Sequence, residues 1–135
     1  MTIARPYPRL TPENAFFWGS GKDGVLRFQR CGGCGHFLHP PSPRCPQCLG
    51  ADIAIVPVSG RATVLARTVN QHQWHPAFPP PYLIALVEIE EAPYVRLTTR
   101  IVNCAPDEVA IGMRVRVVFE AQGPAWLPLF EPDRG

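Results

Sequence analysis

The chain has 135 residues, with 13 basic and 11 acidic side chains and a net charge of +2. This length suits one ordinary domain or two very small ones. The near balance of charge, with Lys22 as the single lysine, argues against a nucleic-acid-binding protein, in which basic residues cluster against phosphates. The sequence shows no signal-peptide pattern and no apolar run long enough to span a bilayer, so we expect a cytoplasmic protein with no membrane partner.

Residues 1–24 predict a short helix. Thr11 is the expected N-cap, Pro12 follows at the first helical position, and Asn14 stands where a capping box prefers glutamate. Several glycines follow, so the helix must be brief. Its aromatic run is more apolar than a lone short helix can leave in water: Phe16, Phe17 and Trp18. We therefore expect it to dock on this domain or on a partner.

Residues 25–51 are predicted to form a metal-binding segment. Two Cys-X-X-Cys pairs, ten residues apart, supply four thiolates: Cys31, Cys34, Cys45 and Cys48. Gly35 and Gly50 follow the pairs and predict tight turns around the sulfur atoms. Because thiolates fill all four positions, structural zinc is favoured over catalytic zinc, and iron in a rubredoxin-like site is the alternative. His36 and His39 are not expected to be ligands, since the quartet is already complete.

Residues 52–135 predict an all-β unit. Alternating or apolar runs indicate five strands, at 60–70, 82–90, 94–102, 113–120 and 125–130. A hairpin turn is expected at 91–93 and a single helical turn at 106–112. Five short strands with one helical insertion fit a small Greek-key barrel of the OB type. The arginines on the third and fourth strands are expected to form a solvated face: Arg96, Arg100, Arg114 and Arg116.

The loop at 70–81 carries the other candidate binding residues, which are His72, Trp74, His75 and Phe78. Three consecutive prolines stiffen this loop, so it could anchor a partner or stack on an adenine ring. Packing of the same aromatics onto their own barrel is equally compatible with the sequence.

Catalysis by the two histidines is disfavoured because no carboxylate lies near them, and Cys104 is expected to be an idle thiol. The apolar segment 126–130 could complete the barrel or act as a docking segment.

Several motifs occur in a characteristic order: LRFQRCGGC at 26–34, PP at 40–41, CPQC at 45–48, SGRATV at 59–64, HP at 75–76, PYLIALVE at 81–88 and IGMRV at 111–115. In this order the chain resembles the zinc-ribbon plus OB-fold proteins associated with acyl-CoA metabolism, long known as a domain of unknown function. The resemblance covers roughly residues 13–121. It implies a mainly β protein with a short N-terminal helix, a rubredoxin-like zinc ribbon and a five-stranded OB-fold barrel.

The resemblance also implies a function. Proteins of this family partner thiolase-like enzymes of the lipid-transfer type, or hydratases of the hot-dog fold, and the partner carries the catalytic residues. We therefore expect a non-catalytic accessory subunit in a hetero-oligomer acting on acyl-CoA in lipid, steroid or polyketide-like metabolism. The four cysteines match the family's zinc ligands, and no catalytic residue is carried over. A stand-alone acyl-CoA-binding module and a single-stranded nucleic-acid-binding OB protein are the alternatives.

Overall fold

A computed structural model describes residues 5–134. The outermost parts of the first and last predicted segments, residues 1–4 and 135, lie outside the described residues. The described chain is mainly β, as predicted, with one α-helix and two 3-10 turns at Ser20–Lys22 and Pro106–Glu108. In chain order the elements are α1 (Ala15–Trp18), β1 (Arg27–Cys31), β2 (Phe37–Leu38), β3 (Ile53–Pro57), β4 (Arg61–Asn70), β5 (Tyr82–Ile89), β6 (Arg96–Thr99), β7 (Arg114–Gln122) and β8 (Ala125–Pro132).

The N-terminal helix begins at Ala15 with Asn14 as its N-cap, and not at Pro12 after Thr11 as the sequence predicts. Thr11 and Asn14 still form reciprocal hydrogen bonds in the turn that leads into the helix. The Asn14 N–H donates to Thr11 Oγ1 at 3.3 Å, and the Thr11 N–H donates to Asn14 Oδ1 at 2.7 Å. Asparagine thus takes the place that glutamate usually holds in a capping box. The helix docks on its own chain: Phe17 is buried, and its ring centroid lies 5.7 Å from that of Phe28 on β1.

The ribbon is a small antiparallel sheet with strand order β2-β1-β3. Its apolar side chains belong to two separate clusters. Phe28 and Phe37 join the main core, whereas Leu38 packs with the two buried cysteines, Cys31 and Cys45, in a small second cluster. A sheet of this size buries too little apolar surface to be stable by itself, so it depends on the main core and on a cross-link at the second cluster.

The barrel is an antiparallel sheet with strand order β6-β5-β4-β7-β8. It closes where Ile101 forms a parallel bridge to Phe130: the Phe130 N–H donates to the Arg100 carbonyl at 3.1 Å, and the Val102 N–H donates to the Phe130 carbonyl at 2.8 Å. The result is the predicted, nearly closed five-stranded OB barrel. The third strand is shorter than the predicted 94–102, because the chain beyond Thr99 leaves β5 to meet β8.

The junction between ribbon and barrel is held by side chains of the β5–β6 hairpin. The Ser59 N–H donates to the Glu91 carboxylate at 2.5 Å, and the Ser59 hydroxyl donates to Glu90 at 3.1 Å. The next residue, Gly60, has φ of +83°, and a Cβ there would lie 2.6 Å from Val117 Cγ1. A side chain at this position would therefore be strained both by the backbone conformation and by the contact with Val117.

A second contact between ribbon and barrel lies beside the hairpin. The Tyr94 ring stacks on His36, with centroids 4.7 Å apart and planes at 4°, and its hydroxyl accepts the Phe37 N–H at 2.9 Å. The ribbon and the barrel are therefore joined through both the chain and side chains. Among the described residues, no helix has the length and apolar character needed to cross a membrane.

Candidate metal centre and groove

The four cysteines of the two pairs converge at one end of the ribbon. Their sulfur atoms all lie within 4.8 Å of one another, and the Cys31–Cys48 and Cys34–Cys45 sulfur pairs are each 3.5 Å apart. Zinc bound tetrahedrally at about 2.3 Å would hold its sulfur ligands about 3.8 Å apart. The donor set and its spacing therefore fit a four-sulfur zinc site.

Two matched turns present these sulfur atoms. In the first, the Gly35 N–H donates to the Cys31 carbonyl at 2.8 Å, and in the second the Leu49 N–H donates to the Cys45 carbonyl at 2.9 Å. Gly35 has φ of +79°, as the sequence suggests. In the second turn, however, the left-handed residue is Leu49, with φ of 63°, and not Gly50. The turn thus uses a non-glycine residue in a conformation that costs energy, and the Leu49 side chain is left exposed.

The pKa values of two of these thiols are shifted in opposite directions. The Cys34 N–H, helped by that of Gly33, lowers the pKa of Cys31 to about 7. At Cys34 the His36 N–H favours the thiolate, but the neighbouring sulfur atoms outweigh it and raise the pKa to about 12. Four adjacent thiolates repel one another, and a divalent cation would remove this repulsion.

The two histidines next to the cysteine pairs contact aromatic rings. His36 stacks on Tyr94, and His39 lies between Phe17 and Phe28, at ring-centroid distances of 5.1 and 5.2 Å. Burial lowers the pKa of His39, because the charged imidazolium is less well solvated there.

The four candidate residues of the loop at 70–81 separate into two pairs. His72 and Trp74 form an exposed edge-to-face pair with centroids 4.4 Å apart, and the Trp74 indole N–H is held by Asn70 Oδ1 at 3.1 Å. His75 and Phe78 pack together on the other side, with centroids 5.5 Å apart. The loop therefore carries one exposed aromatic pair and one half-buried pair.

Phe78 of this loop borders an open groove of about 760 Å³. Helix α1, the Pro40–Pro41 turn of the ribbon, and strands β5, β6 and β8 form its walls. Its principal side chains are Phe17, Trp18, Phe78, Tyr82, Arg96, Arg100 and Leu127. This is the side of an OB barrel, over its second and third strands, that usually receives ligands.

Sequence reasoning missed this groove. It placed Arg96 and Arg100 on a solvated face with Arg114 and Arg116, but only the first two line the groove. No local sequence pattern indicates the groove, because β6 and β8 become neighbours only when the barrel closes. Phe17 and Trp18 do line the groove, together with Phe78, whereas the other predicted aromatic of the helix, Phe16, packs against the core.

Two family profiles match this chain, one over the ribbon and one over the barrel. Residues 18–54 match the family profile described as the rubredoxin-like zinc ribbon domain of ChsH2, and residues 55–120 match that of the C-terminal OB-fold domain of ChsH2. The two matches adjoin and cover most of the chain. The zinc ribbon match and the clustered cysteine sulfur atoms together assign structural zinc as the cofactor.

Individual relatives carry different descriptions. A "Probable enoyl-CoA hydratase alpha subunit" of Thermomonospora curvata is 41% identical over 95% of this chain, and a "DUF35 domain-containing scaffold protein" of Methanocaldococcus jannaschii is 37% identical over 67% of it. The chain spans 40% and 64% of the lengths of these two relatives. A chain in the solved structure of an "Ltp2-ChsH2(DUF35) aldolase" is 40% identical, with a TM-score of 0.83 over 93% of this chain and 98% of that one.

Proposed function

Because the chain belongs to the family of ChsH2-type proteins with a rubredoxin-like zinc ribbon and an OB fold, we propose that it is a non-catalytic accessory subunit of an acyl-CoA-processing complex. In this proposal its partner is a thiolase-like enzyme of the lipid-transfer type, and the partner supplies the catalytic residues. The substrates are acyl-CoA thioesters of lipid, steroid or polyketide-like metabolism, and the complex is a cytoplasmic hetero-oligomer.

One observation carries this proposal. The chain is similar over 93% of its length to almost the whole of a chain in the "Ltp2-ChsH2(DUF35) aldolase" structure. That chain has no large additional region beyond the part matched here. The similarity therefore supports a role for the ribbon and barrel beside a separate enzyme, and the scaffold description of another relative agrees with it.

The zinc site fits a supporting role. We propose Cys31, Cys34, Cys45 and Cys48 as its ligands, because their sulfur atoms cluster at the spacing that zinc requires. Four thiolates fill a tetrahedral site, so the metal would supply cross-linking and charge neutralisation and leave no position for a substrate or for water. It would hold together the ribbon, whose Pro40–Pro41 turn forms one wall of the groove.

The properties of the Cys104 thiol support the proposed non-catalytic role. Burial raises the pKa of the Cys104 thiol, and the Glu108 carboxylate adds to this effect. A thiol with a raised pKa is neutral at pH 7 and is a poor nucleophile. The relatives described as hydratase subunits are longer than this chain, so their activity is compatible with catalytic groups outside the shared region.

Co-expression tests the proposal. The full chain is produced with each thiolase-like enzyme encoded beside its gene, and complex formation is measured by affinity purification followed by size-exclusion chromatography. We expect one such enzyme to form a stable complex and to show acyl-CoA thiolase, condensation or aldolase activity that is weak or absent without this chain. If none of these enzymes copurifies and none changes in activity, the proposal is wrong.

A further inference from the structure

Strand β6 has an open edge. In its pairing with β5, the Ile89 N–H donates to the Val95 carbonyl, which makes these two residues a hydrogen-bonded pair. Hydrogen-bonded and non-hydrogen-bonded pairs alternate along an antiparallel ladder. The pairs formed by Arg96 and Thr98 are therefore non-hydrogen-bonded, and the backbone N–H and C=O groups of both residues point away from β5, towards the groove.

Among the described residues, strand β8 forms a ladder bridge to this segment only at Ile101 and Phe130. Its Phe130 N–H reaches the Arg100 carbonyl, which confirms that alternate groups of this segment point away from β5. Continuing this parallel ladder by one step would require an N–H at Pro128 to donate to the Thr98 carbonyl, and proline has none. The Pro128 carbonyl instead accepts the Thr99 hydroxyl at 2.9 Å. The ladder therefore ends at Pro128.

The groove beside this edge combines apolar and cationic surface. The rings of Phe17, Trp18 and Phe78 line it, and the arginines Arg96 and Arg100 lie on β6 or just after it. No aspartate or glutamate is among the lining residues in the part of the chain that the structure describes. An occupant is therefore expected to carry apolar groups together with negative charge.

We propose that this groove binds an extended, carboxylate-bearing peptide segment of the partner enzyme, which adds to β6 as a further strand. The inference rests on the proposed function, because it assumes an enzyme partner. The backbone of the bound peptide pairs with the outward-facing groups of Arg96 and Thr98. Alternate apolar side chains of the peptide enter the groove, and a carboxylate of the peptide contacts the two arginines. A row of alternating donors and acceptors at the strand repeat matches a peptide backbone, whereas an acyl chain would leave those groups unpaired.

Thr98→Pro tests the backbone contact. The Thr98 N–H takes no part in pairing with β5, so proline removes an outward donor and spares the β5–β6 ladder. Thr98→Val is the matched control, because it keeps the N–H and the β-branched shape. With the full chain and the purified enzyme partner, isothermal titration calorimetry should show Kd about tenfold higher for T98P and nearly unchanged for T98V. Circular dichroism verifies that both variants are folded.

The double variant R96A/R100A tests the charge contact with less risk to folding, since these arginines form no ion pair that the structure describes. We expect it to raise Kd and to weaken the salt dependence of binding. Arg61→Ala is the matched control, because Arg61 is exposed and does not line the groove.

The outcomes separate the two proposals. If T98P and R96A/R100A both bind the enzyme as tightly as the wild type, the strand-addition inference is overturned and the accessory function stands. If the wild-type chain forms no complex with any enzyme, both proposals fail. If octanoyl-CoA binds the isolated chain, and R96A/R100A but not T98P abolishes this binding, the groove is a small-molecule site and the inference is likewise overturned.

Discussion

Replacing Phe28 by alanine should destabilise the whole protein while leaving its metal in place. The Phe28 side chain has an exposed fraction of 0% and lies in the main core against Phe17 and His39, where helix, ribbon and barrel meet. Truncating a buried phenylalanine costs about 3–5 kcal/mol in the free energy of unfolding. For a chain of this length, that loss corresponds to a decrease in Tm of about 10–20 °C.

Metal retention distinguishes this variant from its matched control, Leu38→Ala. Leu38 is also buried, but it packs on Cys31 and Cys45 in the second cluster, so its loss should loosen the metal site itself. Urea unfolding followed by circular dichroism gives the stability, and emission spectrometry after dialysis gives the zinc content. F28A should keep its zinc and L38A should lose a part of it. A cost below about 1 kcal/mol for F28A, or equal zinc loss in both variants, would refute this division of the core.

Three further predictions follow from individual contacts. Cys45→Ser should remove the zinc and unfold the ribbon, whereas the control Cys104→Ser should keep about one zinc per chain. Emission spectrometry measures the zinc content, and retention of zinc by C45S would contradict the ligand assignment. Tyr94→Phe should cost about 1 kcal/mol in urea unfolding and speed amide hydrogen exchange at Phe37, because the Phe37 N–H loses its acceptor; an unchanged exchange rate would count against this contact. Burial lowers the pKa of His39, so the unfolded chain binds the proton more tightly, and stability should fall as the pH drops below about 6.5. Urea unfolding at pH 8 and pH 5.5 should show a smaller fall for His39→Gln than for the wild type, and equal falls would exclude a contribution from this imidazole.

The parts of the fold that depend on local chemistry could be predicted from the sequence. The cysteine spacing is a local property, and the four sulfur atoms do converge. The pairing of Thr11 with Asn14 follows from capping geometry, and the alternation of apolar residues marks the strands because one face of each must be buried.

The groove could not be predicted, because it depends on contacts that are distant in the sequence. β6 and β8 become neighbours only through barrel closure, and the role of Pro128 is visible only once its position beside Thr99 is known. The division of the loop is similar: Trp74 and Phe78 are both aromatic and close in sequence, but the loop turns between them and directs them to different surroundings.

The junction at Ser59 and Gly60 has a consequence for assembly. Because Glu90 and Glu91 hydrogen-bond to Ser59, and because a side chain at residue 60 would clash with Val117, the junction favours one angle between ribbon and barrel. A partner that contacts both units therefore loses less conformational entropy on binding. Small contact areas on the ribbon and on the barrel can then contribute jointly to the affinity. The same junction adds selectivity. A partner whose surface fits only the ribbon or only the barrel binds weakly, because its two contact surfaces must also match the spacing between the two units.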